Sequence, residues 1–183
     1  ATTTDTPAAS STPTSPVTLL DYIQQTKTAN QRSREFTGTQ HLTIGTAVLW
    51  DSIIGRASSG GTEKFTLSAW IKKESDVGVG HWGRIADFSF GDLAWAVTDT
   101  NRLVLYFRLA SGDFVYWETS ADIVTDNQWE HVLVTHDLSD VTKAPKIYVN
   151  GVEHSVTLNT TYGSATTPTT SDSFDGLKGT PLN

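Results

Sequence analysis

From Glu35 onward, apolar and polar residues alternate along the chain with a period of two. Phe65, Leu67, Ala69 and Ile71 interleave with Thr66, Ser68, Trp70 and Lys72, which predicts a strand with one buried face. Shorter runs at 84–90 and 93–98 flank Gly91-Asp92, a tight-turn signal. Leu103, Leu105, Phe107 and Leu109 interleave with Arg102, Val104, Tyr106 and Arg108, and further strands are predicted over 114–118, 129–136 and 146–149. Asn150-Gly151 then leads into Val152, His154 and Val156, a hairpin signal because both turn residues tolerate positive φ. No ten-residue amphipathic helix is legible after Arg34. Successive strands with short turns and no crossover helices imply an all-β fold, an antiparallel two-sheet sandwich.

The start of the chain reads differently. Residues 1–16 are Ala, Thr, Ser, Pro and Asp, with too little apolar surface to offset the entropy of ordering them, so a flexible arm is expected. Val17, Leu19, Leu20 and Ile23 follow it, as a short helix or an extended segment that docks on a partner. The expected organisation is an arm over 1–34, a sandwich over 35–157 and a polar C-terminal extension over 158–183.

Three stretches together resemble the laminin-G-like, concanavalin-A-like jelly-roll superfamily. They are Phe36 to Ile44 with its Phe-x-Gly, Phe65 to Ile71, and Trp129 to Asp137 followed by Lys146 to Val152. The 138–145 insert and the small, acidic residues resemble the variety found in bacteriophage and other virus particles. The resemblance implies further core strands after the Asn-Gly hairpin, whereas residues after Val156 are mostly Thr, Ser, Gly and Asp. Ser173 to Leu177 resembles the lead-in to a last strand. Either a sheet edge that recruits a strand or a continuation beyond Asn183 is then expected.

Charge and composition narrow the function. A net charge of -7 with no Lys or Arg cluster in the sequence argues against nucleic acid as a partner. No Cys is present, so disulfides and thiolate metal sites are excluded, and no Met is present, so loss of an initiator is expected. No apolar run reaches the ~20 residues of a membrane-spanning helix. The glycosidases of the superfamily need two carboxylates about 5 Å apart. The strands offer Asp87, Glu118 and Glu130 singly, so an enzyme is not expected. His131 and His136, five apart on one strand, point to opposite faces and share no site.

Two binding chemistries remain. Asp122, Asp126, Asp137 and Asp140 lie in loops as weak calcium candidates, but Asp populates turns for backbone reasons alone, so no metal or other cofactor is expected. Trp82, Trp70 and Trp117 are candidates for stacking on a ligand, whereas Trp95 and Trp129 are expected in the core. The leading functional expectation is a non-catalytic virion structural protein, decorating a capsid or associated with a tail, that binds neighbouring subunits. The alternative is an extracellular or cell-surface module that binds glycans.

Overall fold

A computed structural model describes residues 47–74, 82–88 and 91–177. The chain divides into two compact units, 1–43 and 44–183, and every described residue belongs to the second. The expected arm and its Val17, Leu19, Leu20 and Ile23 therefore lie outside the described residues.

Helix α1 (Ala47–Ile54) precedes nine strands: β1 (Lys64–Lys72), β2 (Gly83–Phe88), β3 (Leu93–Val97), β4 (Leu103–Arg108), β5 (Phe114–Thr119), β6 (Trp129–Asp137), β7 (Lys146–Val149), β8 (Val152–His154) and β9 (Val156–Leu158). They form two antiparallel sheets, a four-stranded one in the order β1-β6-β7-β8 and a five-stranded one in the order β2-β3-β4-β5-β9. This is the expected jelly-roll sandwich.

One face of each sheet supplies the core. Phe65, Val132, Val134, Ile147 and Val149 come from the four-stranded sheet, and Leu93, Trp95, Leu103, Leu105, Phe107 and Val115 from the other. Each side chain of this size contributes about 1.5–3 kcal/mol on burial. Trp95 is fully buried, as its alternation predicts. At the β7–β8 turn, Asn150 (φ 52°) and Gly151 (φ 83°) both take the left-handed backbone that the Asn-Gly pair allows.

Three features depart from the sequence reading. Helix α1 interrupts the two-residue period; its Trp50 packs edge-on against Phe88 at 5.3 Å and its Ile54 enters the core. Val152 to Val156 is not one strand: the backbone leaves the four-stranded sheet at His154 and, from Val156, pairs with β5 in the other. Residues 158–177 are not wholly peripheral either. Phe174 pairs with Leu109, Asp175 N–H donates to Arg108 O at 3.0 Å, and Phe174 and Leu177 are both buried in the core.

Candidate functional site

The parity of β6 decides which side chains reach solvent. Val132 and Val134 face the core, and Glu130 and His136 go with them. Trp129, His131, Leu133, Thr135 and Asp137 therefore lie on the outer face of the four-stranded sheet. Trp129 is 50% exposed there, which corrects its expected place in the core. On β1, Trp70 stands opposite His131, and Lys72 opposite Trp129. Trp70 is 65% exposed, with its ring 5.4 Å from that of His131. Trp70 and Trp129 are thus diagonal neighbours across a strand pair, within reach of one planar ligand.

The same face ends differently 20 Å or so further along, at ~3.3 Å per residue. There Lys64, Thr66, Thr135 and Lys146 border a hollow of about 500 Å3, closed on one side by Lys143 and Ala144 of the 138–145 loop. The loop is held by Leu138 and Val141, both buried, and by two Asx turns. In these, Asp137 Oδ1 accepts from Ser139 N–H at 3.1 Å, and Asp140 Oδ1 accepts from Thr142 N–H at 3.2 Å.

Those bonds account for two of the calcium candidates. Ser139 and Lys64 hold the Asp137 carboxyl below its usual pKa, and Thr142 and Lys143 do the same for Asp140. Asp122 accepts from Arg102 Nε at 2.9 Å, and Asp126 lies 3.3 Å from the buried Lys73 ammonium, which also donates to Asn101. The four acids are divided among separate basic partners. Among the described residues, no three His, Asp or Glu side chains gather as a metal site.

The outer face of the five-stranded sheet is an aromatic cluster of another kind. Trp82 packs on Tyr106, Tyr116 and Tyr162 with ring centroids 5.5, 5.8 and 4.9 Å apart. Ala94, Ala96 and Val104 on this face are fully buried, so it is a covered surface. A bulge between Arg84 and Ala86 lets Arg84 and Asp87 both face outward and pair. Buried Glu118 accepts from Tyr162 Oη and from Asn159 Nδ2, each at 2.9 Å. Burial, then the bond to Glu118, raises the Tyr162 phenol far above its ordinary value.

Trp117 shares the parity of Val115 and packs against the core, its Nε1 buried. The structure thus separates the three stacking candidates: Trp70 is open, Trp82 is half-buried in its cluster, and Trp117 faces inward. The sequence reading missed Trp129 and the lysine-lined hollow. The first was legible from parity with Val132 and Val134; the second joins residues too far apart in sequence to show a pattern.

Two comparisons, with curated proteins and with solved structures, returned no match to this chain. A family model described as the concanavalin A-like lectin/glucanases superfamily matches residues 36–177, spanning every strand of both sheets. The chain belongs to the concanavalin A-like lectin/glucanases superfamily.

Proposed function

We propose that this domain is a non-catalytic glycan-binding module that receives sugar rings on the outer face of its four-stranded sheet. The observation that carries the reading is the adjacent pair Trp70 and Trp129, both open to solvent on two paired strands. A pyranose ring has an apolar face that stacks on indole and a polar rim that needs hydrogen bonds. His131, Lys72 and Tyr148 lie on the same face beside the two tryptophans. Membership of a superfamily that includes lectins supports the same reading.

The positions of the strand carboxylates support the non-catalytic part of this reading. Glu118 belongs to the five-stranded sheet, with both oxygens engaged by Tyr162 and Asn159. Glu130 faces the core of the other sheet, where it accepts from Thr125 N–H at 3.0 Å. Asp87 pairs with Arg84. A glycosidase needs two of its carboxyl groups across one bond. Glu130 lies on the other sheet, and Asp87 and Glu118, though both on the outer face of the five-stranded sheet, stand on β2 and β5, three strand spacings or ~14 Å apart.

A glycan array followed by calorimetry tests the proposal. Trp70→Ala and Trp129→Ala should each weaken binding of any positive glycan at least tenfold, with folding unchanged. Binding that survives both substitutions, or a dimer in light scattering that Trp70→Ala abolishes, would overturn it.

A second reading, assembly into a virus particle through contacts with neighbouring subunits, is favoured by one observation. Leu49 and Ile53, one turn apart on α1, are 51% and 44% exposed, an apolar stripe suited to a protein partner. Stoichiometric recovery of the protein in purified particles, lost on Leu49→Ser with Ile53→Ser, is the corresponding test.

A further inference from the structure

The lysine-lined hollow and the two tryptophans share one sheet face, and no Asp or Glu of β1 or β6 lies between them on that face. Along β1, Lys64 and Thr66 lead through Ser68 to Trp70; along β6, Thr135 leads through Leu133 and His131 to Trp129. A ligand stacked on the indoles and running along β6 would therefore arrive at Lys64, Lys143 and Lys146.

These three lysines are 66%, 69% and 62% exposed in their side chains. They are three of only seven lysines in a chain of net charge -7, and they gather at one hollow. Lys64 pairs with Asp137 at 3.3 Å, Lys143 with Asp140 at 3.0 Å and Lys146 with Glu153 at 3.7 Å. Each ammonium has three N–H donors, and a single ion pair leaves donors turned to water. The carboxylates thus position the lysines without exhausting them. The Asx-turned loop fixes the side of the hollow that carries Lys143. On the floor, Thr66 Oγ1 donates to Thr135 Oγ1 at 3.1 Å, and Thr135 Oγ1 donates to Phe65 O at 3.1 Å, leaving hydroxyl oxygens able to accept from a sugar.

We propose that this hollow binds the carboxylate or sulfate groups of an acidic polysaccharide whose rings stack on Trp70 and Trp129. The inference rests on the glycan-binding reading above and adds a selectivity to it: neutral sugars use the tryptophans alone, acidic ones use both ends of the face. Contacts of this kind, between exposed ammonium groups and an anion, weaken as salt rises.

The experiment compares binding of polygalacturonate, dextran sulfate and neutral dextran to the whole chain and to four variants, at low and at physiological salt. The variants are the triple Lys64→Ala, Lys143→Ala, Lys146→Ala, the single Trp70→Ala, the single Trp129→Ala, and Arg84→Ala on the opposite sheet as a charge control. Thermal melts check that each stays folded, which the exposure of the three lysines favours. The expected result is at least tenfold tighter binding of one acidic polymer than of neutral dextran at low salt. That margin should shrink at physiological salt, vanish in the triple variant and persist in Arg84→Ala, while both tryptophan variants weaken acidic and neutral polymers alike. Carboxylate and sulfate are told apart by which polymer shows the margin. A margin that is absent, or that survives the triple substitution, overturns the selectivity and leaves the tryptophan platform standing. Binding of no polymer, or binding indifferent to both tryptophan substitutions, overturns the glycan reading and this inference together.

Discussion

Asp51 Oδ1 accepts the backbone N–H of Leu177 at 2.8 Å, joining α1 to a segment 126 residues away. Leu177 and its neighbour Phe174 are core residues, so this bond fastens the described C-terminal segment where it is buried. A hydrogen bond to a charged acceptor contributes about 1.5–3 kcal/mol. Asp51→Ala should therefore lower the melting temperature by about 4–8 °C, and Asp51→Asn, which keeps an acceptor oxygen, by less. Calorimetry of the two variants checks this; equal losses would show that the oxygen is not what matters.

His136 should make the fold acid-sensitive. Its ring lies 5.5 Å from Phe107 and 6.3 Å from Phe65, and burial pushes its pKa down to about 4 against a smaller opposing pull from Asp137 and Asp140. An unfolded His titrates near 6.5. Between these values the unfolded chain takes up a proton that the folded one refuses. Stability is therefore complete above pH ~6.5 and falls as pH drops toward 4, by about 3 kcal/mol from this residue. Urea melts at pH 7.5, 5.5 and 4 should show that slope, and His136→Phe should flatten it.

Chelation should do little. The four acids that invited a calcium site are held by Lys64, Lys73, Arg102 and Lys143. EDTA should leave the melting temperature unchanged within about 1 °C, since only a bound metal adds the stability that chelation removes. Lys73→Met, by contrast, takes the ammonium from Asp126 and Asn101, which keep their own 3.3 Å bond, and should cost about 1–2 kcal/mol, less than a fully buried pair because Asp126 is partly solvated.

The Glu118 network should govern stability and leave glycan binding alone, because it lies on the other sheet. Tyr162→Phe removes one donor to Glu118 and should cost about 1–2 kcal/mol. The raised Tyr162 phenol also keeps its proton when an unfolded tyrosine would lose it, so its contribution is present below pH ~10 and declines above. Ultraviolet titration should find one fewer late-ionising tyrosine in Tyr162→Phe, with calorimetric affinity for a positive glycan unchanged.

The strands were legible because half-buried sheets impose a two-residue period, and 103–108 or 64–72 carries it without interruption. Helix α1 was not, because eight residues reading AVLWDSII are too few for a helical period to separate from a strand's. Residue type alone sends Trp129 inward, whereas parity with Val132 and Val134 sends it out and Glu130 in. Phe174 and Leu177 are isolated apolar residues in a polar stretch, and nothing local says that α1 and Leu109 await them. The hollow at Lys64 draws on β1, β6, β7 and a loop, so only the assembled sheet reveals it.

The two sheets also differ in how far apart in sequence their partners lie. β2, β3, β4 and β5 are consecutive neighbours, each closed by a short connection, whereas β1 must find β6 with all four of them in between. Closing a long loop costs entropy before any contact rewards it. The meander can thus form early as a local unit, and the face that carries Trp70, Trp129 and the lysines comes into being only when β1 docks. Amide exchange should follow that order, with β3 and β4 as the last amides to open and β1 among the first. The face proposed for recognition, if made by the final docking step, is one that a partly folded chain does not display.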